Sequence, residues 1–570
     1  MKALLPQVIL NGSVHKQSAL AILFTRPTFT MSYSNPVIPG FNPDPSICRV
    51  GHDFFLVTST FEYFPGIPIY HSRDLVNWKL IGHVLTRRSQ LDMRTTEPSG
   101  GIWAPTLRHW QGRFYVSVGC TQRFRPKEWD ITIPRGFYVT TDNIWEHGSW
   151  SDAVYFDVPG IDQDLFFDDD GKVYFSAVNQ IKDASIKRHG LGLASFTTAI
   201  DLSTGDCIGP IRWNRVSDFG LGIAEGPHIF KKDEVYYLST AEGGTDEGHQ
   251  QWIFRSKKGP FGPWEAGPEG TVNPMVFNDT HPEIRNTGHL DLVDDLSGKW
   301  WAVFLGVRPQ NGGSESSQLG RETFLAPVQW EDGWPIVNNR EKITLDMKVD
   351  GFAAQQNKET HWRDEFRGSE LDIGWYHLRT PLKKAYKLNS TGLHVYGGAY
   401  QITEFECPSM LLRKQTHFSM DWTVELEFRP DAVGEEAGTA IWWSQFANAS
   451  IGLRKTAEND HEIICRAVNE KGEFTENVAS VGHENTVKLT IQARSLGYEL
   501  FYATINSGTK EEMLLGARLG SVSSRALTHR ISGRESPNTG AHFAIYAQGA
   551  SAKPCLVPVE FKYVEWKLVE

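Results

Sequence analysis

Three acidic residues stand out because of the short motifs that hold them. Asp44 lies between two prolines in "NPDPS", Asp162 lies in "IDQD", and Glu225 lies in "AEGPH". Proline fixes its own φ and restricts the residue before it, so the backbone around Asp44 is rigid. A fixed base, an acid that keeps its proton and a carboxylate that tunes it are the groups needed to hydrolyse a glycosidic bond. Taken alone, each motif is also an ordinary turn sequence.

A repeated strand pattern suggests how these acids come together. Five segments begin with a turn-type residue, continue with aromatic and β-branched residues, and recur about every 60 residues. They are "DFFLVTST" (53–60), "GRFYVSVG" (112–119), "GKVYFSAV" (171–178), "DEVYYLST" (233–240) and "GKWWAVFL" (298–305). Each follows a shorter apolar segment and a polar turn, so each pair predicts a β-hairpin.

Five similar antiparallel units predict a five-bladed β-propeller over residues 32–345, because radial repetition leaves no long exposed sheet edge. A β-sandwich with similar hairpins is the alternative. In a propeller the first strand of each blade lines the axis, so we expect the residues that open these strands to converge. Those positions hold Asp44, Trp103–Ala104, Asp162, Glu225 and His289. Neighbouring carboxyl groups push their pKa values apart, which leaves one protonated near neutral pH.

The blade pattern stops after about residue 345. Residues 346–360 read as a polar linker, and residues 361–570 contain short alternating strands such as "WTVELEF" and "HFAIYA". This pattern predicts a C-terminal β-sandwich of the concanavalin-like or jelly-roll type, so the whole chain is expected to be all-β. Residues 1–31 read as an unstructured N-terminal extension.

Composition narrows the partners and the compartment. The formal net charge of -11 argues against nucleic acid and anionic membranes, and the 12% aromatic content suits the stacking of sugar rings. Six cysteines without paired spacing predict free thiols. No apolar run reaches the roughly 18 residues of a membrane helix, and no convincing signal peptide is present. We therefore expect an intracellular protein, with secretion as the alternative, and leave open whether it forms a homo-oligomer.

Seven motifs in order give the sequence a specific family resemblance, which runs from about residue 34 to the C-terminus and is weaker in the tail. They are "NPVIPGFNPDPSI", "TSTFEYFPGIPIYHSRDLVNW", "GGIWAP", "IDQDLFFDDDG", "AEGPHIF", "NTGHLDL" and "LGRETF". With them the chain resembles glycoside hydrolase family 43, and most of all its two-domain β-xylosidases and α-L-arabinofuranosidases. The resemblance implies a five-bladed propeller and hydrolysis by a single displacement with inversion.

The resemblance also implies a role for each acid. Asp44 matches the general base that activates water, and Glu225 matches the general acid that protonates the leaving oxygen. Asp162 matches the third acid, which orients Glu225 and raises its pKa. A base must be ionised and an acid must keep its proton near the working pH, so the three roles are chemically consistent.

Four further residues match the family's pocket. Arg321 matches a substrate-binding arginine, with a structural ion pair as the alternative. Phe61 and Trp103 match pocket aromatics, although both side chains suit a blade core equally well. His289 matches the histidine that often holds a metal ion, frequently calcium, in the central channel, and a channel histidine without a metal is the alternative. The chemistry itself requires no cofactor.

The sequence therefore predicts an exo-acting glycosidase that releases D-xylose from the non-reducing ends of β-1,4-xylooligosaccharides. An α-L-arabinofuranosidase that debranches arabinoxylan, or an enzyme with both activities, is the first alternative. A carbohydrate-binding propeller without catalysis is the alternative from another class, and the intact set of three acids argues against it. In the resemblance a sandwich loop closes the pocket, with an aromatic ring at His542 or Phe543 as the candidate.

Overall fold

The computed structural model describes residues 30–124, 131–182, 185–187, 189–350, 352, 356–504, 516–528 and 538–569. These residues form strands and turns, with a single short α-helix at Ser524–Thr528 and 3₁₀ turns at Asn311–Gly313 and Asn338–Arg340 among them. The predicted all-β class is confirmed. Within the described ranges, no helix has the length and apolar character needed to cross a membrane. Residues 1–29 of the predicted extension lie outside the described residues.

The N-terminal half is built from five four-stranded antiparallel sheets that follow one another along the chain. The first three sheets contain the following strands: β2 (Ser46–Val50), β3 (Asp53–Val57), β5 (Gly66–Ser72) and β6 (Lys79–Leu85); β7 (Gly101–Trp110), β8 (Arg113–Phe124), β9 (Ile131–Thr141) and β10 (Val154–Tyr155); β11 (Ile161–Phe167), β12 (Val173–Gln180), β13 (Leu193–Ile200) and β14 (Arg212–Arg215). The last two sheets contain β15 (Ala224–Lys232), β16 (Val235–Glu242), β17 (Gln250–Ser256) and β18 (Glu265–Ala266); β19 (Arg285–Asp294), β20 (Trp300–Val307), β21 (Glu322–Glu331) and β22 (Trp334–Val337).

The five repeated segments of the sequence form the second strand of each sheet. Each of these strands buries apolar side chains completely, as Leu56, Val116, Phe175, Leu238 and Val303 illustrate. A strand that is covered on both faces favours a continuous run of aromatic and β-branched residues, which explains why the repeat is visible in the sequence.

The C-terminal half is a sandwich of two sheets. The eight-stranded sheet contains β24 (His361–Asp364), β26 (Tyr386–Leu388), β27 (Leu393–Val395), β29 (Met420–Glu427), β34 (Thr486–Arg494), β35 (Gly497–Thr504), β36 (Ala517–Ser523) and β38 (Val559–Leu568). The six-stranded sheet contains β28 (Met410–Lys414), β30 (Glu436–Ser444), β31 (Ala447–Lys455), β32 (His461–Val468), β33 (Phe474–Gly482) and β37 (His542–Gln548). Trp422 of the first sheet stacks on Phe543 of the second, with ring centroids 4.9 Å apart, inside one apolar core.

Two small pairings connect distant parts of the chain. Strand β1 (Thr30–Ser34) pairs with β23 (Asp346–Asp350), so the segment predicted as a linker begins with a strand. Strand β4 (Tyr63–Phe64) pairs with β25 (His377–Leu378), which ties the first sheet to the sandwich half.

A repeated backbone irregularity positions the functional residues. Each sheet has a left-handed residue, with φ between 43° and 57°, at an equivalent place in or just before its first strand. These residues are Asp44, Ala104, Asp162, Gly226 and His289. Inside β7, β11, β15 and β19 the register with the second strand shifts around this residue, as in a β-bulge. A bulge re-aims side chains, and left-handed backbone at a residue other than glycine costs about 1 kcal/mol or more, so such strain marks a functional site.

Candidate active site

One cavity of about 230 Å³ lies where the five first strands come together. All seven site residues identified in the sequence line it, and they are Asp44, Phe61, Trp103, Asp162, Glu225, His289 and Arg321. The remaining lining residues are Ala104, Ile161, Leu221, Ile223, Gly244, Thr245, Asp246 and Asn538. The structure therefore brings together Asp44 and Arg321, which are 277 positions apart in the sequence.

Asp44 is held as an ionised carboxylate. Its Oδ2 accepts a hydrogen bond of 2.6 Å from the Ser59 hydroxyl, whose oxygen in turn accepts one of 2.7 Å from the Ala104 amide. Its Oδ1 lies 3.2 Å from Nη1 of Arg321 and 3.9 Å from Nδ1 of His289. Burial by itself would raise the pKa of Asp44, but the charges of Arg321 and His289 and the Ser59 hydrogen bond bring the pKa below its usual value.

Asp162 and Glu225 show the opposite behaviour. Burial raises the pKa of Asp162, and its Oδ2 accepts a hydrogen bond of 2.8 Å from the amide of Gly226, the residue next to Glu225. Desolvation of the Glu225 carboxyl, together with the negative charges of Asp162 and Asp44, raises its pKa to about 8. Glu225 therefore keeps its proton at neutral pH while Asp44 has lost its own.

Arg321 is more than a partner of one carboxylate. Its Nη1 donates to Asp44 and, at 2.9 Å, to the hydroxyl of Thr245, while Nη2 donates at 3.4 Å to the backbone carbonyl of Asn538. Its guanidinium carbon lies 5.5 Å from the centre of the Phe61 ring. The side chain thus joins a carboxylate, an aromatic ring and a residue of the C-terminal half at one wall of the cavity.

The two aromatic residues serve both the cavity and the core. Phe61 is 3% exposed and belongs to a buried apolar cluster, yet it also lines the cavity. Trp103 lies 5.9 Å from it, centroid to centroid, and donates a hydrogen bond of 2.9 Å to the Ser99 carbonyl. Both rings therefore line the cavity, and the apolar cluster that contains Phe61 also includes Tyr376 and Trp442 of the C-terminal half, so it is not the core of one sheet.

His289 lies between the acids and the centre of the five sheets. Its ring lies so close to Gly226 that a Cβ there would sit 3.1 Å from it, a tight contact that together with the φ of 56° favours glycine next to Glu225. Among the described residues, no three His, Cys, Asp or Glu side chains are grouped as metal ligands. The donor set at His289 therefore fits only an ion that takes most of its ligands from water, because a closed protein site needs more side chains.

Sequence reasoning missed several residues of the site. Ser59 lies within one of the family motifs, fifteen positions after Asp44. Nothing in the sequence indicates that its hydroxyl contacts that carboxylate. Leu221 and Ile223 form an apolar wall beside Glu225. Asn538 comes from the C-terminal half, and its amide donates a hydrogen bond of 2.6 Å to the Ser99 hydroxyl. No local pattern distinguishes this asparagine from a surface loop residue.

The expectation that an aromatic at 542 or 543 closes the pocket is wrong. His542 is fully buried and stacks on Tyr63, with ring centroids 4.1 Å apart, while Phe543 lies in the sandwich core against Trp422. Neither residue lines the cavity, and the sandwich reaches it through Asn538. Successive side chains of β37 point to opposite faces of the sheet. Phe543 therefore faces the sandwich core, and His542 faces Tyr63 in the other half of the molecule.

Comparison with known proteins places this site in a family. The model of glycosyl hydrolases family 43 matches residues 33–335, and the model of the β-xylosidase C-terminal concanavalin A-like domain matches residues 363–567. The chain is 34% identical over 552 residues to a non-reducing end α-L-arabinofuranosidase of Bacteroides ovatus, which covers 95% of both chains. It is also 34% identical to a xylan 1,3-β-xylosidase of a Vibrio species, which covers 83% of this chain and 89% of the relative.

A solved structure supports the same assignment. The crystal structure of a xylan β-1,4-xylosidase from Bacillus halodurans has a TM-score of 0.82 and 29% sequence identity to this chain. The match covers 94% of this chain and 100% of that structure, so it includes both halves of the molecule.

Proposed function

The chain belongs to glycosyl hydrolase family 43, and from this premise we propose that it is an inverting exo-glycosidase that releases D-xylose from the non-reducing ends of β-1,4-xylooligosaccharides. It is a glycoside hydrolase whose relatives are named as xylosidases and arabinofuranosidases. We also propose that the five sheets are the blades of a propeller over residues 32–345, with the accessory sandwich over residues 361–570.

The proposed mechanism assigns one step to each acid. Asp44 accepts a proton from a water molecule as the water oxygen attacks the anomeric carbon. Glu225 donates its proton to the glycosidic oxygen as the bond from that oxygen to the anomeric carbon breaks. Asp162 holds the backbone beside Glu225 and keeps its pKa high. Attack from the face opposite to the leaving group inverts the anomeric configuration.

A single observation carries this proposal: two carboxyl groups of one cavity have pKa values displaced in opposite directions. The pKa of Asp44 is below its usual value, and that of Glu225 is raised to about 8. A pair of titratable groups with separated pKa values supplies a base and an acid at the same pH. A cavity that only binds sugar has no need for this separation.

Arg321, Phe61 and Trp103 are proposed to bind the terminal sugar. The guanidinium supplies donors to sugar hydroxyls and fixes Asp44, and the rings offer flat apolar faces. His289 is proposed to bind a structural cation such as calcium together with water. The proposed substrate is a xylooligosaccharide or arabinoxylan.

An α-L-arabinofuranosidase is the second candidate. The Bacteroides ovatus relative, whose match covers 95% of this chain, is named as an α-L-arabinofuranosidase. Other relatives, such as the Vibrio protein, are named as xylosidases. Xylopyranose and arabinofuranose present similar hydroxyl groups, so one pocket can accept both sugars.

Initial rates on 4-nitrophenyl β-D-xylopyranoside and 4-nitrophenyl α-L-arabinofuranoside test the proposal. We expect the xyloside to be hydrolysed faster. A clear excess on the arabinoside would replace the first candidate with the second. If both aryl glycosides and arabinoxylan remain intact, the catalytic proposal fails and sugar binding alone is left.

The stereochemistry is a separate test. Proton NMR of the first product formed from a β-xyloside should show α-xylose, which then mutarotates. Initial formation of β-xylose would contradict the single displacement and require a covalent intermediate.

A further inference from the structure

A second ring of polar residues lies directly behind the acids. Two residues after each left-handed position, the chain places a buried side chain that can form hydrogen bonds. These residues are Ser46, Thr106, Asp164, His228 and Asp291, each no more than 6% exposed. They alternate with the catalytic positions along the five first strands, so the first sheet to the fifth each contributes one member.

One guanidinium joins all five sheets at this level, because Nη1 of Arg108 also lies 3.4 Å from the Ser46 hydroxyl of the first sheet. Arg108, on β7, places Nη1 at 2.9 Å from Oδ2 of Asp291 and Nη2 at 2.9 Å from Oδ1 of Asp164. Nη2 also lies 3.1 Å from Nδ1 of His228. The planar fork of arginine can address several acceptors in fixed directions, which a point charge cannot do.

The residues that Arg108 contacts lie close in sequence to the three acids. Asp164 is two residues after Asp162, and its Oδ2 accepts a hydrogen bond of 3.0 Å from the Ile229 amide on β15. His228 is three residues after Glu225 on the same strand.

Asp291, the second carboxylate that contacts Arg108, connects it to the segment that follows Asp44. Asp291 accepts hydrogen bonds from the Ser46 hydroxyl at 2.7 Å and from the Ile47 amide at 3.1 Å, and Ser46 is two residues after Asp44. The Ser46 oxygen also accepts a hydrogen bond of 3.0 Å from the Leu107 amide. Thus Arg108 is connected to the strand of every acid within three residues of that acid.

The contact with His228 also fixes a proton. An arginine nitrogen can only donate, so Nδ1 of His228 must accept and the ring proton must reside on Nε2.

We propose that Arg108 is a positioning residue for hydrolysis: it holds the strained turns that aim Asp44, Asp162 and Glu225 into the cavity. This inference rests on the proposed function, because it explains how the three acids are positioned and takes their catalytic roles from that proposal. Buried strain persists only when surrounding contacts determine it, and the Arg108 contacts lie immediately after the strained residues. A small displacement of an acid or base costs much of its catalytic effect.

The test compares Arg108→Met and Arg108→Lys with Arg466→Met. Arg466 is the matched control, because it pairs with buried Glu436 at 2.7 Å in the sandwich and lies outside the cavity. For Arg108→Met we expect kcat on 4-nitrophenyl β-D-xylopyranoside, or on whichever glycoside the wild type prefers, to fall about 100-fold with KM nearly constant. Arg108→Lys should recover part of kcat, since it restores the charge but not the fork. Arg466→Met should keep kcat near the wild-type value.

Two results would overturn the inference: a folded Arg108→Met with wild-type kcat, or an equal loss of kcat in Arg466→Met. If Arg108→Met does not fold by circular dichroism, Ser46→Ala carries the test, because it removes one connection without exposing a buried charge. It should lower kcat about 3- to 10-fold with little change in KM, and wild-type kcat in this variant would refute the positioning role. An inactive wild type refutes the proposed function instead, so the two failures are distinguishable.

Discussion

The two halves of the molecule treat buried charge differently. In the sandwich, the two carboxylate oxygens of Glu436 accept hydrogen bonds of 2.7 Å and 2.8 Å from Nη1 of Arg466. Oε1 of Glu436 also accepts one of 2.6 Å from the Tyr546 hydroxyl. In the cavity, Glu225 has Asp162 and Asp44 as charged neighbours, and they raise its pKa in addition to the effect of burial. Compensated charge supports a fold, whereas like charges held together maintain a proton where chemistry needs one.

The two halves also differ in how their apolar cores are arranged. The sandwich has a single large core that includes Trp422, Phe543 and Ile491. The interior of the five-sheet half is divided into several clusters between sheets, and its centre is polar. A continuous core maximises stability, while a polar centre gives up some apolar contact to make room for a site.

The largest expected effect separates Glu225 of the cavity from Glu436 of the sandwich. Glu225→Gln should lower kcat on 4-nitrophenyl β-D-xylopyranoside about 100- to 10,000-fold, because the amide cannot donate an acidic proton. The loss should be smaller on the 2,4-dinitrophenyl glycoside, whose leaving group needs less protonation. Steady-state rates on the two substrates measure this difference.

Glu436→Gln is the matched control for that experiment. It should keep kcat within about twofold of wild type while lowering the melting temperature, since Arg466 loses its buried charged partner and keeps only Glu476, at 3.2 Å. Equal losses of kcat in the two variants would show that activity follows stability and not the acid.

The next effect concerns the sandwich core. Trp422 is fully buried, stacks on Phe543 and donates a hydrogen bond of 2.9 Å to Thr439. Trp422→Ala should lower the free energy of unfolding by about 3–5 kcal/mol, measured by urea denaturation. The folded fraction should retain wild-type KM at low temperature. A raised KM in fully folded protein would mean that the sandwich shapes the cavity more than Asn538, its lining residue in the described part of the chain, suggests.

A third effect tests the boundary between the halves. Lys414 of the sandwich is partly buried, donates a hydrogen bond of 2.8 Å to Asn42, and has its pKa lowered to about 7 by desolvation of its ammonium group. Above pH 7 the folded state releases this proton while the unfolded state keeps it to about pH 10.4, so wild-type stability rises with pH in this window. Lys414→Met should therefore be more stable than wild type below pH 7, by about 1–3 kcal/mol.

Denaturation of both proteins at pH 6 and pH 9.5 checks this prediction. The advantage of the variant should shrink at the higher pH. A constant difference would show that Lys414 keeps its charge throughout and is solvated within the contact.

The smallest effect is a displacement of the pH profile. Because Glu225 must be protonated and its pKa is raised to about 8, kcat/KM should fall as the pH rises through about 8. Asp162→Asn removes one neighbouring negative charge, so the pKa of Glu225 should decrease and the basic limb should move to lower pH. Rates between pH 4 and pH 10 measure the limb, and an unmoved limb would mean that burial alone sets the pKa.

Much of the fold follows from local pattern. The second strands of the five sheets lie where the repeated aromatic and β-branched segments predicted them, because a strand buried on both faces has few alternatives in composition. The six free cysteines were predicted from their irregular spacing and are free in the structure. The contact between the halves was not predictable, since Lys414 and His542 look like ordinary strand residues until their neighbours are known.

The sequence by itself determined which side chains could carry the chemistry and the strand pattern that gathers them. Asp44, Asp162 and Glu225 were recognisable because rigid or glycine-containing turns hold them at equivalent places in a repeat. Only the tertiary structure decided their protonation, since pKa values depend on the charges of Arg321 and His289 and on burial in the assembled cavity. It also decided that Asn538 and Arg108 belong to the site and its support, because long-range contacts leave no local trace in the chain.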